Sequence, residues 1–428
     1  MLYRRLQMDQ PLSYEQAELV NRLRMLMSQL AYLSRFYMVE RTSGLGDPTV
    51  TLEELLKIPR ELNELAATIP GFDVDFVPIT LGYIGGLQGL IDAMIDGDDA
   101  GADESIRELY AISDQNAAYL ASVSPYWDEE RWRSIFYGFI SAVVSEVIAI
   151  QSGDFDKSLD IFDTMMESAY ERGDYYAQGF IPYLTEDQSR IPPAYFNMIQ
   201  DLRRIETEWA YLTRFYMAAK IVGIGDAEYL AHLAQRLQEI PPRLAEKYKL
   251  ILGNEDAEQL LNLLLIYAVR LEAIVNMIAS GNDDEVEIIA QEAYRFSQQV
   301  AAYLPAINPY WDYAEGRDLF LRRVELLLQE SYELKNKDYV AAMQTFQEFL
   351  EVSLAIGDYI SKGLYQYTLI GSDQAPGNQA GTQPASEPAA GSSGAQGPVG
   401  TPGHESVSGN GAAQVPPQQA ARGRRRRR

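Results

Sequence analysis

An internal repeat limits the folds open to this chain more than any other feature of the sequence. The segment AYLSRFYM at residues 31–38 recurs as AYLTRFYM at residues 210–217, an offset of 179 positions. A Pro-Tyr-Trp-Asp block at residues 125–128 recurs at 309–312, and a Gly-Asp-Tyr block at 173–175 also returns 184 positions later. Collinear blocks at a nearly constant offset indicate a tandem duplication, so we interpret the chain as two copies of one unit.

Apolar residues within each copy recur with the period of an α-helix. Phe136, Ile140, Val143 and Val147 form one such stripe, and no stretch shows the alternation typical of strands. The repeat and this period together predict an all-α fold of two tandem antiparallel bundles with about six helices each. We place the first bundle at residues 14–184 and the second at residues 194–368.

Helix ends are marked by residues that repeat. Gly44 and Gly223 follow apolar helical segments and are predicted C-caps, whereas Asp128 and Asp312 are predicted N-caps. We expect each Pro-Tyr-Trp-Asp corner to hold a loop against its bundle. A cluster of glycines at residues 82–89 occurs only in the first copy, where it predicts a close contact between helices.

The composition changes abruptly at residue 371 to Gly, Pro, Ala, Ser and Gln, which predicts a disordered tail at residues 371–428. This tail has a net charge of +3, so residues 1–370 carry the remaining −28 of the total of −25. An acidic body repels polyanions. We therefore assign any binding of polyanions to the tip of the tail, which could equally fold onto the acidic body or bridge to a neighbour. The tip consists of Arg422, Arg424, Arg425, Arg426, Arg427 and Arg428.

Several classes of protein are disfavoured by what the sequence lacks. There are no cysteines and only two histidines, His232 and His404, which argues against disulfides, thiolate metal sites and a Ser-His-Asp triad. The longest uncharged stretch that suggests a membrane span, residues 76–91, is shorter than the roughly 20 residues that a bilayer requires. We expect a cytoplasmic protein without a transmembrane segment.

A small polar set repeats inside the apolar helices and supplies the candidate site. Its glutamate lies at the edge of an apolar stripe, where a carboxylate needs a partner. One interpretation is an interhelical salt bridge that fixes the packing, and the other is a ligand or ion site that would suit magnesium, calcium or manganese. The set consists of Arg35, Glu146 and Asp174 in the first copy and Arg214, Glu330 and Asp358 in the second.

Each copy resembles a family of small helical-bundle proteins from spore-forming bacteria, which often carry the label acetylglutamate kinase by automatic transfer. The resemblance covers most of residues 16–182 and 196–366. It rests on the Leu-Arg-x-Leu opening at residues 23–26, the Ser-Arg or Thr-Arg pair ending at Arg35 and Arg214, the Asn-Pro-Tyr-Trp corner at residues 308–311, and the shared acidic residues. The resemblance implies a helical bundle and a possible association with spores. It lends no support to kinase activity, because an amino-acid kinase needs an α/β sheet and glycine-rich phosphate loops.

The resembled family also carries three histidines on three helices, which would suit a metal site together with the shared glutamate. None of the aligned positions is a histidine in this chain, so the resemblance implies that both copies have lost the site. We accordingly expect no metal and no cofactor. The aligned positions are Leu30, Tyr83 and Phe139 in the first copy and Trp209, Tyr267 and Arg323 in the second.

Two functional hypotheses follow. The leading one is a non-enzymatic structural or interaction protein, whose helical faces meet a protein partner or a second copy and whose tail tethers it or binds polyanions. The alternative is a module that binds a small molecule or a metal ion through the Arg/Glu/Asp set. A polar cavity beside that set would favour the alternative, and direct pairing without a cavity would favour the first.

Overall fold

A computed structural model of the protein describes residues 11–72, 74–184 and 190–370. These residues form an all-α structure, as predicted, and their one strand-like feature is an isolated antiparallel bridge between Leu12 and Ile191. The predicted tail, including Arg422 and the arginines at 424–428, lies outside the described residues.

The described residues of the first copy form seven helices. They are α1 (Tyr14–Ser43), α2 (Pro48–Leu55), α3 (Ile58–Ala67), α4 (Val77–Asp96), α5 (Asp99–Val123), α6 (Glu129–Gln151) and α7 (Phe155–Phe180), with a 3₁₀ turn at Ile181–Tyr183.

The second copy contains six helices. They are α8 (Pro193–Met217), α9 (Ala227–Leu252), α10 (Asn254–Ser280), α11 (Asp283–Ile307), α12 (Tyr313–Lys335) and α13 (Tyr339–Ile370), and a π-helical turn at Ala218–Val222 follows α8. The extra helix of the first copy arises because its counterpart of α9 is interrupted between Leu55 and Ile58.

Consecutive helices joined by short loops pack side by side and therefore run antiparallel. In the first copy α4, α5, α6 and α7 follow one another in this way, and α7 returns against α1. The second copy repeats the order, from α9 through α13, with α13 against α8. The buried apolar side chains of both copies form one continuous core.

The predicted helix caps are confirmed. Gly44 and Gly223 end their helical segments with φ values of 67° and 91°, in the left-handed region that favours glycine. Asp128 and Asp312 accept hydrogen bonds from backbone N–H groups in the first turns of α6 and α12. In the glycine cluster, Gly86 packs closely against Leu109 of α5, whereas Gly82 and Gly85 face open space.

Each Pro-Tyr-Trp-Asp corner is held against the last helix of its copy. The indole of Trp127 donates from Nε1 to the carbonyl oxygen of Tyr175 at 2.6 Å, and the indole of Trp311 donates to that of Ile360 at 3.2 Å. Both rings lie flat against a glycine, Gly179 on α7 and Gly363 on α13, where a β-carbon would overlap the indole. The glycines therefore allow the tryptophans to close the loops.

The two copies meet in a self-complementary way. Three contacts join a residue to its own counterpart 179 positions later: the bridge of Leu12 with Ile191, the hydrogen bond of Gln200 with Asn21, and the ring contact of Phe36 with Phe215. Contacts of this kind occur on a two-fold axis, as in symmetric dimers.

Reciprocal contacts lie on either side of these central ones. Tyr32 of α1 packs edge-on against Phe346 of α13, and Tyr211 of α8 packs edge-on against Phe162 of α7. The two pairs are counterparts, because Tyr211 follows Tyr32 by 179 positions and Phe346 follows Phe162 by 184. The duplicated chain thus folds as a dimer fused into one polypeptide.

We predict that Gly363→Ala lowers the free energy of unfolding by about 1–3 kcal/mol, because the added methyl group overpacks the site of the Trp311 indole. Denaturant unfolding followed by tryptophan fluorescence measures the change. Gly138→Ala on α6 is the control: its β-carbon meets open space, so it should be neutral or slightly stabilising. Equal effects of the two substitutions would contradict the proposed contact.

Candidate functional site

The predicted Arg35 and Glu146 form an ion pair in the centre of the first copy. Arg35 of α1 and Glu146 of α6 are both completely buried, and Nη1 of Arg35 donates to Oε1 of Glu146. The same nitrogen donates to the hydroxyl of Ser158 at 2.5 Å, and Nη2 donates to the hydroxyl of Tyr229 in the second copy at 3.2 Å. This is the interhelical salt bridge that the sequence suggested.

Arg214 and Glu330 repeat the pair in the second copy, with Arg214 Nη1 donating to Glu330 Oε1. Both arginines also reach the other copy. The guanidinium carbon of Arg35 lies 4.8 Å from the ring centre of Phe215, and that of Arg214 lies 5.6 Å from the ring centre of Phe36. The ion pairs therefore sit at the junction of the copies, where cation–π contacts add to their stability.

Buried carboxylates at this junction have unusual acidities. Burial raises the pKa of Glu146 and of Glu330 to about 7, even though the neighbouring arginines oppose the shift. Burial also raises the pKa of Glu40 to about 7. Glu40 accepts a hydrogen bond from the hydroxyl of Thr51 at 2.7 Å, and the positive charge of Arg214 partly offsets the shift. Desolvation of a charged group is the common cause.

The other two members of the set, Asp174 and Asp358, lie elsewhere. Asp174 accepts a bidentate interaction from Arg24 at 2.5 and 2.8 Å, and Asp358 accepts one from Arg203 at 2.5 and 2.6 Å. Arg24 precedes Arg35 by eleven residues on α1, or about 16 Å of helix. The structure therefore brings together Arg35 with Glu146, and Arg214 with Glu330, but places both aspartates at a separate level.

Sequence reasoning missed Arg24 and Arg203. The sequence repeats this arginine, because Arg203 follows Arg24 by the same 179 positions as the AYL(S/T)RFYM block, but the repeat does not say which carboxylate it binds. Each of these arginines lies on the first helix of its copy, and each holds an aspartate on the last helix of that copy.

A large cavity opens beside the Arg24–Asp174 pair. It has a volume of about 660 Å³ and is lined by both copies, and we call it the inter-copy cleft. Its lining includes both members of several counterpart pairs: Arg24 and Arg203, Asn21 and Gln200, Ser28 and Thr207, Tyr170 and Leu354. Asp174, Glu167, Glu171, Arg131, Arg204, Asn197 and Gln178 complete much of its wall.

The charged groups of the cleft are engaged with one another. Besides the Arg24–Asp174 pair, Arg131 pairs with Glu171 and Arg204 pairs with Glu167, the latter across the two copies. Nη1 of Arg24 also donates to the amide oxygen of Gln200 at 2.5 Å. The wall therefore offers hydrogen-bonding groups of both kinds with little net charge.

The three positions that the family resemblance aligned with histidines come together in each copy. In the second copy, the Arg323 guanidinium carbon lies 4.8 Å from the Trp209 ring centre, and the Trp209 and Tyr267 ring centres are 6.3 Å apart. In the first copy, Leu30 and Tyr83 line one small cavity and Phe139 lies beside it. Aromatic rings and a buried arginine occupy both places. Within the described ranges, no group of three or more His, Cys, Asp or Glu side chains is arranged to hold a metal ion.

Two of the described helices, α6 and α10, are long and apolar enough to cross a membrane when judged by length and composition alone. The protein core buries 56% of the most apolar stretch of α6 and 33% of that of α10. Core helices of soluble proteins share these properties, so the absence of a transmembrane segment stays a prediction.

Comparison of the chain with protein-family models, with curated proteins and with solved structures gave no match.

The Arg35–Glu146 pair allows a double-mutant test. We predict that Arg35→Met alone and Glu146→Leu alone each lower the free energy of unfolding by about 3–5 kcal/mol, because each leaves one buried polar group without its partner. The double variant should lose less than the sum of the two, since it removes both charges. Urea unfolding of the four proteins gives the coupling, and additive losses would contradict a direct buried pair.

The raised pKa of Glu40 predicts that the stability of the folded protein depends on pH. Its pKa rises from an ordinary 4.5 to about 7 on folding, so the folded state binds the extra proton between these values. Its contribution to stability is complete below about pH 4.5 and is lost as the pH rises through about 7. We expect Glu40→Gln, which keeps the acceptor for Thr51, to flatten the fall in stability between pH 5 and 8 by roughly 2 kcal/mol. Unfolding curves across this range measure it, and an unchanged slope would contradict the assignment.

Proposed function

We propose that this protein is a non-enzymatic binding module that holds a small, polar molecule without net charge in the inter-copy cleft. The observation that carries the proposal is the cleft itself, a cavity of about 660 Å³ on the axis that relates the two copies. Its volume lies within the range of about 300–1,000 Å³ that is usual for sites of small ligands.

The charge pattern of the wall supports an uncharged or zwitterionic ligand. Arg24, Arg131 and Arg204 each hold a carboxylate in the structure, so an anion would have to displace a protein partner. A cationic ligand would have to displace an arginine. The amides of Asn21, Gln200, Asn197 and Gln178 line the cleft as well and can both donate and accept hydrogen bonds.

Apolar side chains complement these amides. Met25, Leu350, Leu354 and the rings of Tyr170 and Tyr175 also line the cleft. A wall that combines apolar surface with a few directed polar groups suits molecules with both kinds of surface, such as sugars, nucleosides or amino acids. The proposal uses Arg24 and Asp174 and leaves Arg35 and Glu146 a structural role, because these two side chains pair directly with each other and are completely buried in the core.

Thermal melts with a panel of probes test this proposal. The panel contains a neutral disaccharide, a nucleoside, a zwitterionic amino acid, a dicarboxylate and a diamine. We expect at least one neutral or zwitterionic probe to raise the melting temperature, because binding to the folded state alone stabilises it. Isothermal titration calorimetry then gives the dissociation constant of that probe.

A blocking variant locates the site. Gln178 is exposed at the wall of the cleft, so Gln178→Trp should weaken binding of the probe at least tenfold without disturbing the core. Its counterpart 184 positions later, Lys362, is also exposed and does not line the cleft, which makes Lys362→Trp the matched control. Equal affinities of the two variants, or stabilisation by the charged probes alone, would refute the proposal.

The predicted polyanion binding by the arginine tip remains a separate proposal, supported by the charge contrast between the tail and the acidic body. Truncation at residue 421 separates the two activities, because the cleft is built entirely from residues of the two bundles.

A further inference from the structure

A buried arginine in the first copy has no acidic partner among the described residues. Arg172 of α7 is only 3% exposed. Its guanidinium carbon lies 5.0 Å from the ring centres of Tyr83, Phe136 and Phe139. Aromatic faces attract a cation, but they do not neutralise its charge.

The hydrogen bonds around Arg172 are equally incomplete. In the described part of the chain, its guanidinium donates one hydrogen bond, from Nη2 to the hydroxyl of Tyr83 at 3.3 Å, and Nε finds no acceptor. No described carboxylate lies within ion-pair distance. Burial raises the pKa of Tyr83, so this tyrosine is neutral and cannot serve as the counter-charge. Isolated charges inside proteins are strongly unfavourable, so an anion is expected close to Arg172.

In the second copy, a glutamate neutralises the buried arginine. Its buried arginine, Arg323, donates from Nη2 to Oε2 of Glu206, and both side chains are almost fully buried. The residue of the first copy that corresponds to Glu206 is Met27, 179 positions earlier. The first copy therefore has a buried cation of its own but lacks the acid that neutralises the buried arginine of the second.

A small cavity lies beside Arg172. Its volume is about 20 Å³, enough for one particle the size of a water molecule. Besides Arg172, its polar lining among the described residues consists of Tyr83, Tyr176, Thr80 and Asn116, with no carboxylate. The hydroxyl of Tyr83 donates to the carbonyl oxygen of Phe136 and one amide N–H of Asn116 donates to that of Ile79. The hydroxyls of Tyr176 and Thr80 and the second amide N–H of Asn116 remain as donors. Met27 lines the same cavity. A cation surrounded by donors presents the surroundings that an anion requires.

We propose that the first copy binds one monovalent anion of halide size, chloride under physiological conditions, in the cavity beside Arg172. The small volume excludes phosphate, sulfate and carboxylic acids of metabolic size. The anion supplies the negative charge that Glu206 provides in the second copy. This site is separate from the inter-copy cleft, and neither proposal depends on the other.

Chloride-dependent stability is the first test. Melting of the full chain is compared in sodium chloride and in sodium gluconate at the same ionic strength, because gluconate is too large for the cavity. We expect chloride to raise the melting temperature by about 3 °C or more in a saturable way. Equal melting temperatures in the two salts would overturn the proposal, because they would mean that the cavity holds water and not chloride.

Two variants identify the site of the effect. Met27→Glu introduces an acid at the position that Glu206 holds in the second copy, and we expect the variant to lose the chloride dependence while melting in gluconate at least as high as the wild type. Arg172→Met should also lose the dependence. Arg323→Met, which removes the paired arginine of the second copy, is the matched control and should keep it. A chloride effect that survives in Met27→Glu would overturn the proposal.

Crystals soaked in sodium bromide give a direct readout of the site. We expect an anomalous peak within hydrogen-bond range of the Arg172 guanidinium and its absence in crystals of Met27→Glu. Bromide peaks confined to the protein surface would overturn the assignment.

Discussion

The contact between Phe36 and Phe215, flanked by the buried arginines of both copies, organises the whole molecule. Arg35 is satisfied by an acid of its own copy, yet its guanidinium also packs on Phe215 of the other, and Arg214 reciprocates on Phe36. An ion pair of this kind is directional and tolerates few alternative arrangements, whereas apolar packing alone tolerates many. The ion pairs therefore fix how α1 is aligned with α6 and how α8 is aligned with α12. The ring contact of Phe36 with Phe215 then aligns the two copies with each other.

Because the two copies belong to one chain, their sequences and contacts need not stay identical. A homodimer must carry every feature twice, but the two halves of this chain have diverged at counterpart positions. Asp163 of α7 pairs with Arg236 across the junction, whereas its counterpart Gln347 accepts a hydrogen bond from the hydroxyl of Tyr32. The inter-copy cleft shows the same divergence: Arg204 stands opposite its counterpart Met25, and Tyr170 opposite Leu354. On our proposal, a ligand in the cleft would meet related but unequal walls, so a molecule without internal symmetry would be held in one orientation.

Much of the fold was predictable from the sequence because its causes are local. The helical period of residues such as Phe136, Ile140 and Val143, the C-cap at Gly44 and the N-cap at Asp128 depend on neighbours within one or two turns.

The Arg35–Glu146 pair could also be predicted, since a charged residue at the edge of an apolar stripe needs a partner and Arg35 recurs with it. The partner of Asp174 could not be predicted, because α1 contains four arginines and only the packing of α7 selects Arg24. The cleft depends on how the copies pair, which no local pattern specifies. Arg172 was missed because it has no counterpart: Ile356 occupies its place in the second copy.

The buried charges lead to one further step. Each copy carries two arginines in its interior, one near the junction and one in the cluster of aromatic rings, although a core of apolar residues would be easier to form. The junction arginines are neutralised alike in both copies. The others are not, because they extend from different helices, α7 in the first copy and α12 in the second, to the same place in the bundle. The two copies thus place a cation at one location from different positions of the sequence, and among the described residues only the cation of the second copy has an acid beside it. A positive charge at this point is therefore compatible with the fold in more than one geometry. Each copy then requires an anion close to its buried arginine. Glu206 supplies this anion in the second copy, and on our proposal an ion from the solvent supplies it in the first.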